Sequence, residues 1–243
     1  MLQNKTLIIT GASSGIGAAT ARAAAAQGAN LVLAARRAEP LQALAESLPN
    51  AVHLAGDVAS EDTARTLVDL ALDRFGGLDG ALNNAGILGD MGPVPDMTLD
   101  SWNTVLRVNL TAGFLAAKYQ IPAMAAGGSL VFTSSFVGHT IGLPGMAAYA
   151  ASKAGLIGLT QVLAAEHGPQ GIRVNALLPG GTMTPMAGDD VAFHEAVAGM
   201  HALKRMAQPD EIAQAALFLL SGASSFVTGS AMLADGGNSI LKA

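Results

Sequence analysis

The chain has 243 residues, 51% hydrophobic and 13% charged, with 29 glycines, no cysteine and a formal net charge of -5. That length suits one large α/β core, the weak and unblocked charge offers no basic stripe for nucleic acid, and the lack of cysteine removes disulfides, thiolate metal sites and a cysteine nucleophile. No stretch reaches the roughly 18 apolar residues of a membrane span, and Met1-Leu2-Gln3-Asn4-Lys5 runs straight into a strand, leaving no room for a leader, so the expectation is a cytoplasmic protein with neither membrane nor nucleic-acid partner.

Thr6-Leu7-Ile8-Ile9-Thr10 reads as the first strand, followed at once by Gly11-Ala12-Ser13-Ser14-Gly15-Ile16-Gly17 and an alanine-rich helix over about 16–27. Strand, glycine turn and helix are the order of a phosphate-binding βα unit, because glycines admit close backbone approach and a helix N-terminus offers free N–H groups. The second strand, Asn30-Leu31-Val32-Leu33-Ala34-Ala35, ends at Arg36-Arg37. In dinucleotide folds a carboxylate at this strand end bonds a ribose 2′-hydroxyl, whereas an arginine accommodates a 2′-phosphate. Ala35 stands where the carboxylate would be, Arg36 follows it, and Ser13 can add a hydroxyl. The reading is a preference for NADP(H) that leaves NAD(H) open.

A helix over about 38–48 leads to the strand Ala51-Val52-His53-Leu54-Ala55 and then Gly56-Asp57-Val58, where Asp57 can accept from an adenine amino group or cap a turn. His53 alternates with apolar neighbours and reads as structural, and no His/carboxylate spacing suggests a metal. After a helix over about 60–75, Leu78-Asp79-Gly80-Ala81-Leu82 forms the fourth strand and ends in Asn83-Asn84-Ala85-Gly86. Asparagines there can tie strand ends together, while Ala85 and Gly86 are small enough for a cofactor to pass. Residues 87–97, with two glycines and two prolines, form a loop. From Asp100 to Met124, Trp102, Val105, Leu106, Leu110, Phe114 and Leu115 recur at helical spacing, with Trp102 and Met124 read as packing residues. Asn109 is a misfit in mid-helix, where its amide competes for backbone groups, and the misfit suggests a job.

Gly128-Ser129-Leu130-Val131-Phe132-Thr133-Ser134-Ser135 is the fifth strand and ends in two hydroxyls. Beyond a glycine-rich loop, Tyr149 and Lys153 lie one turn apart on a helix reaching about His167, with Leu156, Leu159, Val162 and Leu163 at core spacing. A free phenol ionises near pH ~10, and an adjacent ammonium can favour its phenolate; taken alone, the pair would describe an ordinary helix start. Ile172-Arg173-Val174-Asn175-Ala176-Leu177-Leu178 is the sixth strand, before Pro179-Gly180-Gly181-Thr182-Met183-Thr184. Residues 185–206 read as flexible apolar surface, through Met186, Phe193, Val197, Met200 and Met206. A helix over 209–220 and a last strand near 230–234 complete the chain.

The glycine turn, spaced Gly-x-x-x-Gly-x-Gly, then Asp57, Asn83-Asn84-Ala85-Gly86, Asn109, Ser135 with Tyr149 and Lys153, and Pro179-Gly180 stand in a fixed order. In that order and spacing the whole chain resembles the short-chain dehydrogenase/reductase family, of the 3-oxoacyl-acyl-carrier-protein reductase type. The separation of fourteen residues from Ser135 to Tyr149 is one longer than the family's usual, a difference the intervening loop absorbs, and Ser134 is the understudy.

The resemblance implies a single Rossmann-type doubly wound α/β domain over 1–243, with a parallel sheet of seven strands in order 3-2-1-4-5-6-7 and the site beyond their C-terminal ends. It implies hydride transfer between a nicotinamide and a ketone or secondary alcohol. Tyr149 would be the acid/base and Ser135 would orient the oxygen. Lys153 would favour the tyrosinate and hold the nicotinamide ribose, and Asn109 would anchor a relay water. Cofactor contacts would come from Gly11, Ser13, Ser14, Gly15, Ile16 and Gly17, from Arg36, Arg37, Asp57 and Val58, and from Asn84, Ala85 and Gly86. Tyr149, Lys153, Pro179, Gly180, Thr182 and Thr184 would complete them. Segment 185–206 would close over substrate, and the Tyr149 helix and the long helix before it would pair subunits into a homotetramer. A neutral ketone, a sugar-derived carbonyl or an acyl-thioester β-ketone all suit the chemistry, and no Arg or Lys occurs between 185 and 203 to clamp an anion. The alternative from another class is an NADP-binding regulatory or scaffold protein that kept the fold without catalysis.

Overall fold

The strands of the sheet all pair in parallel, because helical segments carry the chain back across one face before each next strand begins. The computed structural model describes residues 2–241. In chain order come β1 (Thr6–Thr10), α1 (Gly15–Ala25), β2 (Asn30–Ala35), α2 (Ala38–Glu46), β3 (Ala51–Ala55), α3 (Glu61–Phe75) and β4 (Leu78–Asn83). The second half holds α4 (Leu99–Leu106), a π-helical turn over Arg107–Thr111, α5 (Ala112–Ala123), β5 (Met124–Thr133) and α6 (Ala147–His167). It ends with β6 (Arg173–Pro179), α7 (Val191–Gly199), α8 (Pro209–Leu220) and β7 (Ala231–Ala234).

The strand order is 3-2-1-4-5-6-7, as the sequence predicts. The chain winds outward from β1 to β3, then returns to lay β4 along the free side of β1. Connections therefore diverge between β1 and β4, and the loops there open a crevice beyond the C-terminal strand ends.

Alternation within the strands divides the core in two. Leu7 and Ile9 of β1 pack with Leu31, Leu33, the alanine face of α1 and Leu217 of α8, whereas Ile8 packs with Val32, Leu67, Ile121 and Phe132 on the other side. Ala21 and Ala24 keep α1 thin enough to lie against both the sheet and α8. Ile8 is fully buried, and cutting it to alanine would cost roughly 2–5 kcal/mol.

The helix expected through 100–124 is broken by the π turn and ends at Ala123, since Pro122 in its last turn has no N–H to donate. Met124, expected within that helix, instead opens β5 opposite Leu78. The strand thus starts before the expected Gly128 and stops at Thr133, which leaves Ser134 and Ser135 just past its end. Phe114 and Val162 were expected at core spacing but are 52% and 54% exposed. The buried face of α6 runs instead through Lys153, Leu156, Ile157, Thr160 and Ala164. Segment 185–206 is more regular than its composition suggests. Asp190 caps α7 by accepting from the N–H groups of Ala192 and Phe193 at 2.9 and 3.3 Å, and Met206 is buried.

Candidate active site

The glycine turn folds directly onto the end of β4. Gly11 has φ 67°, and a Cβ there would lie 2.9 Å from Asn84 Nδ2 and 3.0 Å from Ala85 Cα. Glycine meets both the torsion and the close approach. Thr10 Oγ1 accepts from the N–H groups of Asn84 and Ala85 at 3.0 and 3.1 Å, so the ends of β1 and β4 are laced together at the switch point.

Ser14 precedes α1 without capping it, which leaves that helix start open to an anion. Arg37 reaches the same turn, donating from Nη2 to Ser14 Oγ at 2.7 Å and to Ser13 Oγ at 3.1 Å. Of the two arginines singled out from the sequence, Arg37 is the one anchored on the turn, while Arg36 is exposed and close enough to Asp57 to act on it electrostatically. Free donors at a helix start beside a guanidinium and two hydroxyls fit a dinucleotide's phosphates. Gly15 and Ile16 open α1, and Gly17 packs so that a Cβ would meet Gly11 O at 2.4 Å.

Asp57 lies past β3, where its Oδ2 accepts from Arg107 Nη1 at 2.7 Å and its Oδ1 from the Ala59 N–H at 3.0 Å. The Arg107 hydrogen bond holds this carboxyl below the usual carboxylate range, against the opposing pull of burial. Arg107 was not foreseen from the sequence, because its partner is 50 residues away and nothing local marks the pair. Val58 lines a small cavity with Asn83, Ala85 and Asn109. Asn83 does not face the crevice; its amide exchanges two hydrogen bonds with Gln120, at 2.8 and 3.1 Å.

Tyr149 occupies the first turn of α6, with Lys153 one turn on. Lys153 is 3% exposed, donates from Nζ to Thr133 O at 2.7 Å and stands 5.6 Å from the centre of the Tyr149 ring. Ser134 turns away, donating to Lys153 O at 2.7 Å, which fastens the end of β5 to α6. Ser135 Oγ accepts from the Val137 N–H at 3.1 Å and stands near enough to the Tyr149 hydroxyl to draw its pKa downward. The structure thus sets the second serine, not the first, against the tyrosine.

Asn109 is buried in the π turn. Its Oδ1 accepts from the Ile87 N–H at 2.8 Å, and its Nδ2 donates to Ile87 O at 2.9 Å and Ser152 Oγ at 3.0 Å. A π turn is a frequent mark of a functional site, and here it carries this amide between the end of β4 and α6. Both Nδ2 protons are thus committed within the protein, while Oδ1 keeps acceptor capacity beyond the Ile87 N–H. A Cβ at Gly86 would stand 3.2 Å from both Asn109 Oδ1 and Lys153 Nζ, so the bare backbone beyond β4 keeps the space between them uncrowded.

The electrostatics also depart from expectation. Burial raises Tyr149 above the usual phenol range, only partly opposed by the Ser135 hydroxyl, and burial lowers Lys153 to about 8. Desolvation pushes both groups toward their neutral forms. Stabilisation of the phenolate by the ammonium, expected from the four-residue spacing, is outweighed in the protein alone.

The turn after β6 closes the crevice from the far side. Thr182 Oγ1 donates to Gly180 O at 2.9 Å, and the Thr184 methyl would lie 3.0 Å from a Cβ on Gly15, so this turn and the glycine turn touch. His201 accepts at Nε2 from the Gly181 N–H at 3.0 Å. A lone histidine in an apolar segment gives no signal of such a contact. Among the described residues no three His, Cys, Asp or Glu gather to hold a metal, and no helix is long and apolar enough to cross a membrane.

Residues 11–239 match the family described as Enoyl-(Acyl carrier protein) reductase. The chain is 42% identical to 2,5-dichloro-2,5-cyclohexadiene-1,4-diol dehydrogenase of Sphingobium indicum, over 97% of each chain. It is 38% identical to Cyclohexanol dehydrogenase of an Acinetobacter species, over 96% of this chain and 94% of that one. A short chain dehydrogenase from Burkholderia cenocepacia, crystallised in complex with NADP, superposes with a TM-score of 0.93 at 36% identity and 98% coverage of both chains.

Proposed function

The chain belongs to the short-chain dehydrogenase/reductase family, and from that premise we propose that it interconverts neutral alicyclic secondary alcohols and their ketones, preferring NADP(H), with Tyr149 as the acid/base. The observation that carries the reading is the convergence of Ser135, Tyr149 and Lys153 on one point beyond β5, beside the crevice of the glycine turn. When bound, the nicotinamide supplies or takes up the hydride.

The protein's own groups handle the oxygen and its proton. Ser135 donates to the substrate oxygen and steadies the charge that grows on it, while the Tyr149 hydroxyl gives the proton in reduction and its phenolate takes it in oxidation. Lys153, fixed by Thr133 O, holds the ribose and passes the proton onward. Asn109 keeps Ile87 and Ser152 in register around this lysine.

The rim supports a neutral substrate. Met91, Met186 and Phe193 are 59%, 47% and 45% exposed in the two loops that border the crevice. The first cations after the apolar stretch 185–203 have partners: Lys204 donates to Gly199 O at 2.8 Å, and Arg205 grips both oxygens of Glu211 at 2.7 and 2.6 Å. Among the described residues of segment 185–206, a carboxylated ring or a thioester on an acidic carrier protein would meet no cation without an existing contact. The relatives' own names, a cyclohexadiene-diol dehydrogenase and a cyclohexanol dehydrogenase, point to a six-membered ring.

Arg37 and Arg36, with no carboxylate at Ala35, support NADP(H). A cytoplasmic homotetramer without nucleic-acid partner completes the proposal, with segment 185–206 covering the substrate. The catalytically silent alternative has no support: the relatives are named as dehydrogenases, and Tyr149 and Lys153 lie together beside Ser135. The test is to follow nicotinamide absorbance with cyclohexanol, cyclohexane-diols and a 4-hydroxycyclohexanecarboxylate, each with NADP and with NAD, and with cyclohexanone and a β-ketoacyl thioester, each with NADPH and with NADH. Preferential turnover of the charged substrates would overturn the substrate assignment.

A further inference from the structure

His201 is 2% exposed and takes no part in the chemistry above, yet both ring nitrogens are committed. Nδ1 faces Val197 O at 2.7 Å and Nε2 faces the Gly181 N–H at 3.0 Å. A carbonyl can only accept and an amide N–H can only donate, so the two contacts together fix one neutral tautomer, with the proton on Nδ1. The ring occupies a slot with no spare room. A Cβ on Gly180 would lie 2.7 Å from Nε2, one on Gly181 3.0 Å from Cε1, and one on Gly236 3.2 Å from Cδ2. Phe136, the residue after Ser135, meets the ring edge-on at 6.4 Å between centroids.

This histidine is not what fastens its own segment. Leu203 N donates to Gly236 O at 3.1 Å and Asn238 Nδ2 donates to Met200 O at 3.0 Å, so residues 200–203 are tied to the end of β7 on either side of the ring. What His201 holds is Gly181, the second of two adjacent glycines at the mouth of β6. Adjacent glycines have the widest backbone freedom of any pair; Ala234 O holds the Gly180 N–H at 3.0 Å, Thr182 Oγ1 the Gly180 carbonyl at 2.9 Å and the Ala207 N–H the Gly181 carbonyl at 2.8 Å, which leaves the Gly181 N–H to His201. The chain from Gly181 leads through Thr182 to Thr184, which lies against Gly15 of the glycine turn. Through Val197 the same ring joins this peptide to the last turn of α7.

We propose that His201 is a positioning residue for the nicotinamide half of the dinucleotide: it locks the Gly180–Gly181 peptide and the 181–184 run that follows, and couples them to α7. The proposal rests on the dinucleotide reading above. The adenosine half would lie at Arg37, Ser13 and Asp57, none of which hydrogen-bonds to His201 or Gly181, so the two halves of the cofactor should respond differently to loss of the lock.

The experiment compares wild type, His201→Phe and His201→Gln by calorimetric binding of NADPH and of 2′,5′-ADP, which carries only the adenosine half. Phe keeps an aromatic edge against Phe136, in a slightly larger ring, but cannot accept from Gly181; the Gln amide oxygen can, in a smaller side chain, so a Gln recovery separates the lost hydrogen bond from any crowding. The expected result for His201→Phe is NADPH affinity lower by about tenfold, the worth of one hydrogen bond, with 2′,5′-ADP affinity within about twofold of wild type. His201→Gln should recover most of the NADPH affinity. Equal losses for both ligands, or no loss for either, would overturn the proposal, as would His201→Gln behaving like His201→Phe. If wild type binds NADH in place of NADPH, the pair becomes NADH and 5′-AMP and the same comparison decides. Binding of neither dinucleotide would remove the dinucleotide reading and this proposal with it.

Discussion

The Lys153 Nζ stands 5.6 Å from the centre of the Tyr149 ring and is sealed from water, held by one carbonyl. With its pKa lowered to about 8, the group is still mostly protonated at pH 7 in the fold, at a cost the unfolded chain does not bear. The sign follows from proton counting. Between about 8 and the unfolded value of 10.5 the unfolded chain binds more protons, so stability rises with pH across that window. Below it the full penalty applies, on the order of 3 kcal/mol.

Replacing Lys153 with methionine should therefore stabilise the cofactor-free protein at pH 7, by roughly 1–2 kcal/mol once the unpaired Thr133 carbonyl is counted. The advantage should shrink as pH rises from 8 to 10. Urea unfolding of both proteins at pH 7 and pH 9.5 measures it, and a variant less stable than wild type at pH 7 would show that the amine's contacts outweigh its desolvation. Turnover should be lost at every pH.

Tyr149→Phe removes one hydroxyl and keeps the ring over Lys153. Loss of the proton donor should lower kcat by at least about 10³-fold, the usual scale of a general acid, while dinucleotide affinity stays within about threefold. Steady-state kinetics paired with equilibrium binding separates the two. Ser135→Ala should cut kcat with a smaller effect, since it orients the oxygen without moving the proton.

The strands were legible because each is a short apolar run closed by glycine, asparagine or proline, whereas their order in the sheet followed from the family resemblance that the motif residues carry. The motif residues could be placed because they sit at strand ends, which sequence marks well. What escaped the sequence lies in pairings between distant segments: Arg107 with Asp57, Arg37 with Ser14, His201 with Gly181. None leaves a local pattern. The π turn was visible only as the misfit of Asn109, since a shifted hydrogen-bond ladder has no composition of its own. Desolvation was invisible altogether, and for Tyr149 it reversed the expected direction of the shift.

Arg37 donates to Ser13 and Ser14 at the rim of the helix start, and a 2′-phosphate arriving there would gain its charge without new ordering of the side chain. Arg37→Ala should weaken NADPH by about tenfold or more, in line with a charge-assisted hydrogen bond, and leave NADH within about twofold. Fluorescence titration of both dinucleotides decides it. Equal weakening of the two would mean that Arg37 serves the turn and not the phosphate.

Phe114 on α5 and Val162 on α6 point outward, 52% and 54% exposed, although the helices carrying them are apolar nearly all round. A helix with no polar face is one that expects cover on both sides. The proposed homotetramer supplies it by setting α5 and α6 of one copy against those of another. Phe114→Asp would place a carboxylate in the middle of that contact, where like charges from the two copies also face each other. The expected outcome is a fall in mass by light scattering from four copies to two or one. Because α6 carries Tyr149 and Lys153 on its inner face, activity should fall with assembly, not independently of it. A tetramer unaltered by Phe114→Asp would place the interface elsewhere on the molecule.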